Sequence, residues 1–124
     1  MEAMAEQGIV PADGPADRGH RARVDPVLRR FAAEVRTRYG NRLERLVLFG
    51  SRARGDHRPG SDDDVALFLH GFTTRYDEVG PALEVSLDIL VDTDADISPK
   101  VFPAEAWRTW TPFMDEIQRD GVDL

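Results

Sequence analysis

The sequence predicts an α/β fold, α+β in the older vocabulary, on three observations. Apolar residues recur at helical spacing through Val27, Leu28, Phe31, Val35 and Tyr39. Two short apolar runs, residues 43–49 and 62–69, have the length and composition of strands, and a third, residues 83–91, alternates in polarity.

Taken in order, residues 1–24 mix Gly, Pro, Ala, Asp and Glu with almost no apolar period and read as a flexible tail. This leaves one domain over 25–124, long enough to bury a core but not to add a second one. Asp25 can cap a helix whose first turn holds Pro26 and which Gly40 stops, so that the helix covers an apolar sheet face. The strand at 43–49 ends at Gly50, where the backbone can turn sharply and approach a ligand. Ser51 is suited to cap a short helix over Arg52, Ala53 and Arg54, with Gly55 as its stop. Bare N–H groups at such a helix start favour anions, and Arg52 and Arg54 add forked donors that match phosphate oxygens.

In the strand at 62–69, Asp62, Asp64, Ala66 and Phe68 share one face, and Asp63, Val65, Leu67 and Leu69 the other. Two carboxylates converging to about 5 Å repel by roughly 3 kcal/mol at an effective dielectric near 20, a cost that a divalent cation removes. Hard oxygen ligands of this kind suit Mg²⁺, which commonly bridges one or two carboxylates to substrate phosphates.

Residues 73–79 offer a short helix before Gly80-Pro81. The run 83–91 then reads as a strand with Val85, Leu87, Ile89 and Val91 on one face and Glu84, Ser86, Asp88 and Leu90 on the other. Asp88 is the polar intruder; across a neighbouring strand from Asp62 and Asp64 it would complete a two-metal cluster and take the proton from an attacking hydroxyl. Residues 92–103 read as a polar, Pro-containing link. A short helix at 104–110 follows, and Thr111-Pro112 starts another that ends at Gly121.

Gly50-Ser51, ten residues and then Asp62-Asp63-Asp64 resemble the GS-x10-D-x-D signature of the DNA polymerase β-like nucleotidyltransferase superfamily. The run from Gly50 to Asp56 is most similar to the minimal nucleotidyltransferase (MNT) domains, and the likeness extends over about residues 26–124 to the closing Ile117–Leu124 segment. The resemblance implies a small mixed sheet with helices on one face and a nucleotide site open on the other. It assigns triphosphate binding to Gly50, Ser51, Arg52 and Arg54, Mg²⁺ binding to Asp62 and Asp64, and a third, acceptor-activating acid to Asp88. The implied reaction moves AMP from ATP to a hydroxyl and releases pyrophosphate. Stand-alone MNT proteins are similar to the antitoxins of pairs whose partner is a helical HEPN ribonuclease modified with AMP, so the implied partner is such a toxin. One departure is Asp63, where the family usually has an aliphatic residue; a carboxylate on the helix-packed face requires solvent or an arginine.

Composition bounds these readings. Sixteen basic against twenty-three acidic residues give a net charge of −7, which disfavours nucleic acid as a large partner. There is no cysteine, hence no disulfide or thiolate metal site. No apolar run approaches a membrane span or a signal-peptide core, so a cytoplasmic location is the default expectation. Two other functions share the residues: a module that blocks a toxin by stoichiometric binding, and a small-molecule transferase of the aminoglycoside type, which at this length needs a homo-oligomer to build its acceptor pocket. Trp107, Trp110 and Phe113 read as packing residues before a base-stacking platform. His20, His57 and His70 lie in unlike contexts, and a zinc site from them is improbable.

Overall fold

The computed structural model describes residues 15–50, 53 and 62–124. Of the expected phosphate-binding turn, Gly50 and Ala53 are described, whereas Ser51, Arg52 and Arg54 lie outside the described residues.

Two helices, α1 (Pro15–Val24) and α2 (Pro26–Tyr39), precede strand β1 (Leu43–Phe49). Strand β2 (Asp63–Leu69) is followed by the single turn α3 (Arg75–Glu78), the longer helix α4 (Gly80–Thr93) and strand β3 (Ile97–Pro103). A 3-10 turn at Ala104–Arg108, helix α5 (Pro112–Asp120) and the two-residue strand β4 (Val122–Asp123) complete the chain. The sheet order is β3-β2-β1-β4, with β2–β3 parallel and the other pairs antiparallel. It is the mixed sheet that the resemblance implied.

The local signals act as expected in α2. Asp25 is extended, its carboxylate accepts from Val27 N (2.9 Å) and Leu28 N (3.2 Å), and Pro26 occupies the first turn. Leu28, Phe31, Val35 and Tyr39 are buried along one stripe. Alternation then divides the sheet into two faces. Leu46, Leu48, Val65, Leu67, Leu69, Ile97 and Val101 pack against α2 and α4, while Val47, Phe49, Ala66, Phe68 and Phe102 pack against Met114 and Ile117 of α5. The second face is therefore covered in part, by α5 and the turn before it.

Three segments differ from the sequence-based expectation. Residues 15–24 are helical rather than part of a tail, and Ala22 reaches the core at 4 % exposure. The segment 83–91 is not a strand but the body of α4. Ala82, Val85, Ser86 and Ile89 are buried at helical spacing, and Pro81 occupies a helix start, where its missing N–H costs nothing. Leu83, Leu87, Leu90 and Val91 are exposed, and Leu87, set between the buried Val85 and Ile89, and Val91 after them are what imitate the apolar face of a strand. The third long strand is instead Ile97–Pro103, within the expected link. Pro99 and Pro103 hide it from propensity arguments, and its place at the sheet edge makes them tolerable.

The Tyr39 hydroxyl joins α2 to the start of α4. It donates to Glu78 O (2.6 Å) and accepts from Ala82 N (3.1 Å). The buried Glu78 carboxylate pairs with Arg42 (2.8 Å) and accepts from Thr73 N and Oγ1, each at 3.1 Å. Burial alone would raise its pKa; the bonds from Arg42 and Thr73 outweigh burial and hold it below the usual value.

Because Glu78 is acidified in the folded state, its contribution is fully present above the unfolded pKa of about 4.3 and is lost as pH falls through the lower folded value. Glu78→Gln is expected to be less stable than wild type near pH 7 and to lose less stability than wild type between pH 5 and 3, as read from urea midpoints. Tyr39→Phe is expected to cost about 1–3 kcal/mol at all these pH values, since it leaves two buried backbone groups without their partner.

Candidate active site

Antiparallel pairing of β1 with β2 sets Phe49 opposite Asp64. The next residue, Gly50, has φ +78°, and a Cβ built there would stand 2.6 Å from Asp64 Oδ2. Glycine is thus favoured twice, by the backbone conformation and by the approach of the Asp64 carboxylate. The end of the first strand and the acid of the second meet at one point.

Asp62 precedes β2 and is exposed; Asp64 lies within it at 34 % side-chain exposure. Burial, with a further contribution from the Asp62 charge, raises the pKa of Asp64 above the usual carboxylate range, and Lys100 opposes the rise. Lys100 Nζ stands 4.0 Å from Asp64 Oδ1. The two acids therefore interact unfavourably in the protein alone.

Between them, Asp63 points to the helix-packed face, as its position in the alternation requires. It is 7 % exposed and not without a partner, and its N–H donates to Asp96 O at 2.9 Å. That bond brings in an acid that the sequence reading left in a link. The Asp96 pKa is raised, by desolvation first and then by its side-chain hydrogen bond with Asp62 and the charge there. Its signal was the alternation of Ile97, Pro99 and Val101 after it, obscured by the prolines.

Asp88 is not the third acid of this site. It lies on α4 rather than on a strand, is exposed, and its charge acts on Arg38 of α2. The strand beside β2 is β3, and the residues that it turns toward the Asp64 face are Ser98, Lys100 and Phe102. Among the described residues, no three His, Cys, Asp or Glu side chains are grouped to hold a metal ion.

Of the three aromatic residues of the C-terminal segment, Trp107 is half-buried, whereas Phe113 and Trp110 are exposed. Trp107 meets Phe68 edge-on at 5.3 Å under the Arg45 guanidinium, and Phe113 meets Phe49 edge-on at 5.7 Å. Trp110 is 73 % exposed. His70 lies 3.1 Å from Glu44, and His57 lies outside the described residues.

Comparison with known proteins is consistent with this geometry. A family model for the nucleotidyltransferase domain matches residues 28–117. A protein of Methanocaldococcus jannaschii, provisionally named a protein adenylyltransferase, is 29% identical over 98 residues, which make up 79% of this chain and 95% of that one. A structure from Sulfolobus solfataricus, provisionally named a nucleotidyltransferase, superposes with a TM-score of 0.54 at 21% identity, over 88% of this chain and 84% of that one. A toxin-antitoxin structure with AMP-PNP gives a TM-score of 0.50 at 17% identity, over 75% and 68% of the two chains. At such identities the two structures show the fold alone.

Gly50→Ala is expected to destabilise the protein by about 1–2 kcal/mol through its left-handed backbone and to displace the Asp64 carboxylate, a shift that the Asp64 side-chain NMR signals would report. Asp64→Asn is expected to raise the urea midpoint at pH 7 without divalent cations. A raised folded pKa means that the ionised form weakens the fold, so the gain should shrink as pH falls through the raised folded value and be gone below about 3.9, where folded and unfolded chains are both protonated.

Proposed function

The chain belongs to the nucleotidyltransferase domain family, and on that footing we propose that it moves AMP from ATP to a hydroxyl of a partner protein, as an antitoxin that neutralises a HEPN-type ribonuclease toxin. The observation that carries the reading is the approach of Gly50 to Asp64: the first residue after β1 stands at φ +78° against the Asp64 carboxylate, with a built Cβ 2.6 Å from Oδ2. The name of the M. jannaschii relative supports a protein acceptor, and the toxin-antitoxin neighbour supports the biological setting.

The donor set fits a hard divalent cation. Asp62 and Asp64 offer carboxylate oxygens whose mutual repulsion such an ion would relieve. Asp62 and Asp64 would hold Mg²⁺, which would neutralise charge on the triphosphate. Gly50 and Ser51 would bring backbone N–H groups to the phosphate tail, and Arg52 and Arg54 would add charge-assisted bonds. In the transfer the acceptor oxygen bonds to the α-phosphorus, the bond from that phosphorus to the bridging oxygen breaks, pyrophosphate leaves with the electron pair, and the hydroxyl proton goes to solvent. Positioning and electrostatics supply most of the catalysis.

A macromolecular acceptor is also supported by α4, which leaves Leu83, Leu87, Leu90 and Val91 exposed on one helix. A second reading, inhibition by binding alone, is favoured by one observation: Asp88 is far from the role of a third acid, and no three-acid group occurs among the described residues.

Incubation with labelled ATP, Mg²⁺ and the product of the adjacent gene separates these functions. Label on the partner is the expected result; tight binding without label identifies an inhibitor, and label only on an added aminoglycoside identifies a small-molecule transferase. The double variant Asp62→Ala, Asp64→Ala is expected to lower labelling by about 100-fold or more, and labelling at the wild-type rate would remove both acids from the reaction.

A further inference from the structure

Lys100 is a cation placed in a carboxylate site. It stands on β3 opposite Ala66, two register pairs along from Asp64 and Ser98 and so on the face that Asp64 occupies. Its Nζ lies 4.0 Å from Asp64 Oδ1 and donates a 3.0 Å hydrogen bond to Ser98 Oγ. Phe102, the next residue on that face, is buried and stacked on Phe68 at 5.3 Å, which fixes the strand beneath the lysine. The ammonium remains accessible, with 47 % of the side chain exposed.

The neighbouring strand thus offers a positive group where a two-ion site needs a negative one. A second divalent ion bridging Asp64 toward β3 would meet the Lys100 ammonium at short range, while Asp96, the additional acid, is engaged by a side-chain hydrogen bond with Asp62. A phosphate oxygen meets the opposite situation, since Lys100 supplies a point charge and three donors. Arg75, whose guanidinium lies 5.4 Å from the centre of the Phe102 ring, puts a second positive charge on the same edge, and the two side chains line a cavity of about 250 Å³ with Tyr76, Val79, Pro99 and Val101. That edge carries two positive charges beside a largely apolar cavity.

We propose that Lys100 contacts the α-phosphate of the bound nucleotide and does the charge neutralisation of a second metal ion, so that the site works with one divalent cation on Asp62 and Asp64. The inference rests on the nucleotidyltransferase reading of the site. It makes Lys100 a catalytic residue that binds the substrate.

Mn²⁺ binding to the full chain with a non-hydrolysable ATP analogue, followed by EPR, tests it. One ion per protein-nucleotide complex is expected for the wild type, and two ions would overturn the proposal. Lys100→Met is expected to weaken analogue binding by about tenfold or more, the loss of one charge-assisted contact, with Lys100→Arg recovering part of it. Unchanged thermal melting of both variants shows that the exposed side chain is not structural. Analogue affinity of Lys100→Met within twofold of wild type overturns the role of Lys100 alone, whereas a wild-type protein that takes up no Mn²⁺-analogue overturns the reading of the site together with it.

Discussion

The pairing of Phe49 with Asp64 across β1 and β2 is the constraint from which the site follows. It sets the carboxylate beside the first residue after β1, where φ is +78° and any side chain would be strained and would crowd the carboxylate. A slip of one residue in that register would turn Asp64 into the helix-packed core and bring Asp63 out. The core prevents the slip: Val65, Leu67 and Leu69 are fully buried under α2 and α4, and Ala66 and Phe68 under the opposite layer. Hydrophobic patterning along seven residues thereby fixes the position of a polar group.

Much of this was legible because the signals were local. The Asp25 cap with Pro26, the apolar stripe to Tyr39, the strand before Gly50 and the alternation after Asp62 each need only near neighbours to be interpreted. Residues 83–91 were misread because two periods fit one segment. Val85 and Ile89 belong to both a strand face and a helix stripe, and the exposed Leu87 and Val91 tip the count toward the strand. The error then moved the third acid, since Asp88 was placed by that strand and falls on a helix beside Arg38. The strand that does flank β2 carries two prolines, which only its edge position explains, and edge position is a property of the whole sheet. Asp96 and Lys100 were therefore invisible to local reasoning. The helix at Pro15–Val24 escaped local reasoning for a similar reason, since its ten residues hold no apolar stripe and only the small Ala22 anchors it in the core.

The electrostatics of the molecule separate into two regimes. On the outer helices, Arg30 with Asp92 and Arg38 with Glu84 form exposed pairs that water screens. At the site, Asp64 has lost part of its hydration, feels the Asp62 charge and has a cation only at 4.0 Å. A protein carrying seven net negative charges concentrates unfavourable interaction where a positively charged ligand would be most welcome. Stability and ligand capacity are set against each other at these acids, while the buried Glu78 with its arginine and threonine partners shows how the same fold treats a carboxylate whose task is structural.

The two rims of the sheet limit how another macromolecule can attach. One rim, β4, is two residues long, and the other, β3, carries Pro99 and Pro103. Neither presents the uninterrupted row of main-chain donors and acceptors that strand addition needs. Among the described residues, extension of the ladder is disfavoured at both of these rims, which leaves a binding protein to dock there through side-chain shape and charge.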